Sequence, residues 1–236
     1  MTDRPFNFEE GEILLIDKPL RWTSFDIVKK VRNTIRIKKV GHAGTLDPLA
    51  TGLLIVCTGK KTKQIDAVQA EEKEYTGTFT LGATTPSYDL ETEPENQKDI
   101  SGLTPEQIRA ATVAFVGDIE QLPPMYSAVS VGGERLYQKA RRGEEIERAP
   151  RPVTIMTFEV TDIALPVVSF RVVCSKGTYI RSLAHDFGQA LGVGAYLSEL
   201  RRTRSGAFRV EDAWQITDLI EVVKLQRAQE EQSDSN

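Results

Sequence analysis

The chain has 236 residues and a mass of 26.3 kDa, with 40% hydrophobic and 27% charged residues and a formal net charge of −4. That is enough apolar mass for a real core, over roughly one and a half typical domain lengths, and the mean charge argues against a uniformly basic nucleic-acid binder. Two cysteines, Cys57 and Cys174, cannot make a disulfide framework or a zinc site, and two histidines, His42 and His185, leave little for a His-rich metal centre.

No targeting signal is visible at the start, where Asp3, Glu9, Glu10 and Glu12 interrupt any apolar run. The longest apolar runs, 13–16 and 53–57, are far short of the ~20 residues that span a bilayer. A reduced, cytoplasmic, soluble protein is expected.

In chain order, 12–17 reads as a buried strand. A helix is expected over 24–37, with Thr23 or Ser24 as cap and Phe25, Val28, Val31 and Ile35 on one face. Residues 53–58 read as a strand, 60–69 as helical, and 74–81 as an alternating strand. Thr104-Pro105-Glu106-Gln107 is a capping box with Pro at the first helical position, predicting a helix to about Phe115 that stops near Gly117. Loop and strand follow over 123–131, then a hairpin turn at Gly132-Gly133 and a short basic helix over 136–142. Paired strands are expected over 153–163 and 168–174, and a helix over 179–191 with Ile180, Leu183, Ala184, Phe187 and Leu191 on one face. A strand over 196–202 and a helix over 214–226 close the chain, with a polar, frayed tail from Ala228. No repeat of 20–50 residues is present. Strands and helices mix without strict β-α-β order, which predicts a single α/β (α+β) domain with a mixed, mostly antiparallel sheet flanked by helices.

The mean charge hides a partition. Residues 27–65 hold nine bases and one acid, Asp47, a net of +8; residues 66–121 hold three bases and twelve acids, a net of −9. A second basic run follows at Arg201, Arg202, Arg204 and Arg209. One basic face on an acidic body is the footprint of a polyanion binder, against the plainer reading of solvated helix faces.

Several common sites are absent. Gly59-Lys60-Lys61-Thr62 lacks the glycine a phosphate loop needs, that position being Leu54. No Gly-x-Ser-x-Gly elbow and no metal-loop carboxylate spacing occur. The stretch Gly41-His42-Ala43-Gly44-Thr45-Leu46-Asp47-Pro48-Leu49-Ala50-Thr51-Gly52 is different: three glycines and a proline shape a loop before a buried strand, and Asp47 is the one acid among cations. Nearby cations favour the ionised carboxylate, which suits a nucleophile better than a general acid. The competing reading is an ordinary Asp-Pro turn.

This loop resembles the catalytic motif of the TruB-type tRNA pseudouridine synthases. Lys18-Pro19 resembles the opening motif of that family and Lys73-Glu74-Tyr75 its tyrosine segment. Pro124-Met125-Tyr126-Ser127-Ala128 resembles the start of its RNA-gripping insertion. Ser175-Lys176-Gly177-Thr178-Tyr179-Ile180-Arg181 resembles its late catalytic motif and Leu200-Arg201-Arg202 a further one. The resemblance covers 11–220, a catalytic domain with a thumb insertion at about 123–152, followed by a polar tail over 221–236.

The resemblance implies isomerisation of uridine 55 in the tRNA T loop to pseudouridine, by a monomer without metal or cofactor. It makes Asp47 the nucleophile, acting either at C6 of the base or at C1′ of the ribose. Arg181 would pair with Asp47, Tyr75 would stack on the flipped uracil and take the C5 proton, and Tyr179 and Leu200 would line the pocket. His42 would fill the space that the flipped nucleotides vacate, Lys18 and Pro19 would buttress the loop, and Lys63 and Lys60 would meet phosphates. The thumb is expected to order on RNA; equal protease sensitivity with and without tRNA would count against that.

The chain also departs from the family pattern. Arg21 stands where the opening motif usually has Gly, which predicts strain if φ is positive there. Pro86 stands where many members have Asp, while Asp89 remains. The small C-terminal RNA-binding PUA domain of many bacterial members is expected to be missing. Two rivals are a non-catalytic RNA-binding protein on the same scaffold and a synthase aimed at another RNA; a decayed enzyme would be expected to lose Asp47 or Arg181, and both are present.

Overall fold

A computed structural model describes residues 5–127, 130–144 and 146–233. Its strands are β1 (Ile13–Lys18), β2 (Val40–Ala43), β3 (Ala50–Thr58), β4 (Lys73–Leu81), β5 (Gly117–Gln121), β6 (Ser130–Val131), β7 (Glu134–Arg135), β8 (Arg151–Ala164), β9 (Val167–Cys174), β10 (Ala195–Ser205), β11 (Phe208–Arg209) and β12 (Trp214–Gln215). Its α-helices are α1 (Ser24–Ile35), α2 (Ile65–Ala70), α3 (Pro105–Ala111), α4 (Leu136–Arg141), α5 (Ile180–Ala190) and α6 (Ile216–Ser233). The mixed α/β class expected from the sequence is the one observed. The chain divides into two compact units, residues 1–73 with 201–236, and residues 74–200.

In the first unit, β1 runs antiparallel to β3 and parallel to β12, and β2 pairs antiparallel with β3. Alternate side chains of a strand point to opposite faces. Leu53 and Ile55 therefore form one core with Ala43 and Val210, against which Ile65 and Val68 of α2 pack. Leu54 and Val56 point to the other face and are equally buried, as are Leu14 and Ile16. A strand buried on both faces reads as a continuous apolar run, which is what 53–57 is.

Thr23 caps α1: its side chain accepts from the Asp26 N–H at 3.0 Å, and the Thr23 N–H donates back to Asp26 Oδ2 at 2.9 Å. The apolar stripe of α1 is Ile27, Val28, Val31 and Ile35; Phe25 is 60% exposed, a correction to the face expected from spacing. At its other end the unit differs again from expectation, since α6 stays helical through Ser233 where fraying was expected from Ala228.

In the second unit, β8 is antiparallel to both β5 and β9. Phe79 of β4 stacks on Phe170 of β9 at 4.1 Å, and Phe115, Phe158 and Phe187 meet edge-on in the same core. The capping box forms as expected: Thr104 and Gln107 exchange hydrogen bonds, α3 follows, and a 3-10 turn (Thr112–Phe115) ends it before Gly117. Gly188 lets α5 close on the start of β10, because a Cβ there would lie 2.0 Å from the Ala195 nitrogen. The expected hairpin turn joins β6 to β7 and leads into α4. Of the thumb motif, Ala128, with Val129 and Glu145, lies outside the described residues, as do residues 234–236 of the tail.

Candidate active site

The loop carrying Asp47 belongs to the first unit and is held from three sides. Ser24, the first residue of α1, donates its hydroxyl to the Leu46 carbonyl at 3.1 Å and accepts the Leu46 N–H at 2.9 Å. Lys18, at the end of β1 and fully buried, aims its ammonium at the carbonyls of Trp22 at 2.6 Å, Pro19 at 3.1 Å and Pro48 at 3.5 Å. Arg202 of β10 is 2% exposed; its guanidinium donates to the Leu53 carbonyl at 2.7 Å and the Gly44 carbonyl at 3.2 Å. Gly52 is required here: its φ is +98° and a Cβ would lie 2.3 Å from the Arg202 carbonyl oxygen. The β1–β3 register places Lys18 opposite Gly52. The Asp47 carbonyl closes the turn by accepting from the Ala50 N–H at 3.0 Å.

These contacts leave two buried cations, Lys18 and Arg202, beneath the turn. Burial pushes the Lys18 ammonium down to about 8; the Asp47 charge pulls it back up and the Arg202 charge pushes it further down. His42, on β2, is held neutral by the same environment: burial lowers its pKa first, and the charge of Arg202 adds to the effect. Its Nδ1 is buried without a hydrogen-bond partner among the described residues.

Arg21 has φ +68°, the left-handed region, so the strain expected at this position is present. A residue with a Cβ costs about 1–2 kcal/mol there relative to glycine. Its N–H donates to the Pro48 carbonyl at 2.7 Å, tying the strand exit to the loop.

The second unit holds Tyr75, Tyr179, Arg181 and Leu200. Tyr75 lies on β4, on the face shared with Phe79 and Leu81, and is 9% exposed. Tyr179 precedes α5; its N–H donates to Gln121 Oε1 at 2.7 Å and its carbonyl accepts from Gln121 Nε2 at 3.0 Å. Arg181, in the first turn of α5, is buried. Its Nη1 donates to the Tyr126 carbonyl at 2.8 Å and the Ser87 carbonyl at 3.4 Å, and its Nε lies 3.7 Å from Asp89 Oδ2. Asp89 is itself buried and accepts the Glu91 N–H at 2.9 Å. The acid that remains where Pro86 departs from the family pattern is thus an ionic partner of Arg181. Leu200 ends the unit, partly buried.

Three of the four arginines of the second basic run have partners within the first unit. Arg202 is internal, Arg201 makes a forked pair with Asp17 at 2.7 and 2.9 Å, and Arg204 pairs with Glu72 at 2.6 Å. Arg209 alone of the four is exposed. Lys63 is exposed on a 3-10 turn (Gly59–Gln64), and Lys60 beside it pairs with Glu10 at 2.7 Å, a surface contact of small worth. Around α4, Arg142 pairs with Glu134 and Glu144, and Arg141 with Glu91. Among the described residues no cluster of three or more His, Cys, Asp or Glu could hold a metal, and no helix is long and apolar enough to cross a membrane.

Residues 32–180 match the model of the TruB family pseudouridylate synthase N-terminal domain, and 181–235 that of the tRNA pseudouridylate synthase B C-terminal domain. The chain belongs to the TruB family of pseudouridylate synthases. Two relatives named tRNA pseudouridine synthase B are similar over most of their length. The protein of Flavobacterium johnsoniae is 53% identical over 220 residues, covering 90% of this chain and 96% of its own. That of Chloroherpeton thalassium is 51% identical over 225 residues, covering 93% of each. Among solved structures, the chain resembles one in a Cbf5-Nop10-Gar1 complex, with TM-score 0.72 and 34% identity over 91% of this chain and 54% of that one. It also resembles one in an H/ACA RNP bound to a substrate RNA containing 2′-deoxyuridine, with TM-score 0.68 and 31% identity over 91% of this chain and 53% of that one. It spans about half the length of those solved chains.

Within this TruB-family chain, Ser24, Gln121 and the inward role of Arg202 escaped sequence reasoning. Ser24 was visible as a possible helix cap, but its hydroxyl is used on the loop instead. Gln121 gives no sequence signal, since its role depends on the turn before α5. Arg202 sits in a run of arginines that looks like a surface.

Proposed function

We propose that the chain converts uridine 55 of the tRNA T loop to pseudouridine. The observation that carries this reading is the loop around Asp47, held at Leu46, Gly44 and Pro48 by Ser24, Arg202 and Lys18. A nucleophile needs fixed geometry, and backbone anchors on both sides of Asp47 provide it. Membership of the TruB family and the names of the relatives support tRNA as the substrate.

In this reading the target uridine is extruded from its stack, at a cost of a few kcal/mol. Asp47 attacks the extruded nucleotide, the N1–C1′ bond breaks, the base turns and C5 bonds to C1′; the bond to Asp47 then breaks and frees the carboxylate, C5 loses its proton and N1 gains one. Attack at C6 and attack at C1′ both balance. Arg181 pairs with Asp47, and Asp89 helps to hold the guanidinium. Tyr75 stacks on the uracil and accepts the C5 proton, and Tyr179 and Leu200 wall the pocket. His42, kept neutral, fills the vacated stack, and Lys63 meets a phosphate. The atoms are only rearranged, so the reaction draws on no redox partner. The enzyme acts as a monomer in the cytoplasm.

The test is to incubate a tRNA transcript with the protein and map carbodiimide adducts that stop reverse transcription. A single new stop at position 55 is expected. Stops only at other uridines would favour a synthase aimed at another RNA, and binding without any stop a non-catalytic RNA binder.

A further inference from the structure

Arg21 occupies a backbone position made for glycine. Its φ is +68° and its N–H is committed to the Pro48 carbonyl. Glycine would make the same hydrogen bond without strain, so the backbone gives no reason for a side chain here. Backbone strain that persists beside a reactive loop points to a use for the residue that bears it.

The side chain is exposed and lines an open hollow of about 360 Å³ with Trp22, Asp26, Lys29, Lys30 and Asn33. Lys29 and Lys30 are exposed on the first two turns of α1. The one acid in the hollow, Asp26, has its carboxylate engaged by the Thr23 N–H at 2.9 Å and the Thr23 hydroxyl at 2.6 Å. Three cations against one capped acid leave a net positive hollow. Phe25, 60% exposed, stands one turn before Lys29 on the same helix. Cations beside the exposed Phe25 ring and the half-buried Trp22 are the kind of surface that a single-stranded polyanion with stacking bases fits. Helix α1 is bonded to the Asp47 loop through Ser24 and Leu46, and Arg21 through Pro48, so the hollow is fixed relative to the reactive loop.

We propose that Arg21, Lys29 and Lys30 hold a phosphate of the substrate RNA outside the uridine pocket, with Trp22 and Phe25 offering stacking faces to the adjoining nucleotide. The proposal rests on the RNA-isomerase reading above. Arg21 then trades backbone strain for a charge-assisted contact on the RNA.

The test uses the full chain and a T-arm hairpin. Affinity is measured between about 50 and 200 mM salt for the wild type and for Arg21→Ala, Arg21→Lys and Arg21→Gly. Ala and Lys carry the same backbone strain as Arg, so their difference reports the charged side chain and not the backbone. Arg21→Ala and Arg21→Gly are expected to weaken binding severalfold and to lower the salt slope by about one, while Arg21→Lys retains most of the affinity. Arg21→Gly is expected to melt no lower than the wild type, which separates lost contact from lost fold. Wild-type affinity and salt slope in both Arg21→Ala and Arg21→Gly would overturn the proposal. Failure of the wild type itself to modify the hairpin would instead count against the underlying function, so the two failures are distinguishable.

Discussion

Ser24 and Leu46 exchange two hydrogen bonds in a fully buried setting, one hydroxyl serving both the N–H and the carbonyl of the residue before Asp47. The first turn of α1 is therefore bonded directly to the Asp47 loop. A residue that looks like a helix cap is spent on positioning the loop, and Thr23 takes over the capping.

Ser24→Ala should leave two buried backbone groups of Leu46 unpaired. Such groups cost about 1–3 kcal/mol each in desolvation. The expected outcome is a loss of about 2 kcal/mol in urea unfolding together with a slower single-turnover rate. A variant of wild-type stability and rate would show that the loop does not need this tether.

Lys18 should leave a signature in alkaline stability. Its folded pKa is about 8 against an ordinary value of 10.5, so between those values the unfolded chain holds more protons than the folded one. Stability then rises with pH across that window. Relative to Lys18→Met, which has no such titration, the wild type should gain up to about 3 kcal/mol from pH 8 to 10.5. Denaturant midpoints of both proteins across that range check this; a constant difference would contradict a depressed ammonium.

Arg202→Met removes the positive charge that helps hold His42 neutral. The His42 imidazole pKa should rise, yet stay below the ordinary value because burial, the larger cause, remains. Only two histidines occur in the chain, so proton NMR of the imidazole signals resolves the change. The signal of His185, whose pKa is lowered by burial and by the charge of Arg148, should not move.

Asp186 on α5 is pushed up to about 6 by burial alone. The folded state then binds the proton more tightly than the unfolded one, so this carboxyl costs stability that develops between about pH 4 and 6 and is fully present above. Asp186→Asn should stabilise the protein by about 1–3 kcal/mol at pH 7 and hardly at all at pH 4. Equal effects at both pH values would refute the shift.

Much of this was legible in the sequence because local signals agreed with the packing. The Thr104 capping box, the Gly132-Gly133 turn and the all-apolar run of β3 each have one physical reading. Two features misled. Phe25 falls on the helical period of Val28 and Ile35, but Ile27 is the residue that turns inward, since a stripe three positions wide can be placed one residue early. Arg201, Arg202 and Arg204 look like a basic surface, and their acceptors, Asp17, Leu53, Gly44 and Glu72, are far away in sequence. Of the site, Asp47 and its loop stood out by composition; the anchors Ser24 and Arg202 did not, because a hydroxyl or guanidinium aimed at a backbone carbonyl leaves no motif. β2 was missed because it is four residues long and contains glycine and histidine.

The central claim is that Asp47 is the nucleophile of a uridine isomerase, and release of tritium from C5-labelled uridine in a T-arm hairpin tests it most directly. Forming the C5–C1′ bond necessarily expels the C5 hydrogen. Wild-type protein should release the label, and Asp47→Ala should bind the hairpin yet release none. Release by Asp47→Ala at the wild-type rate would contradict the account.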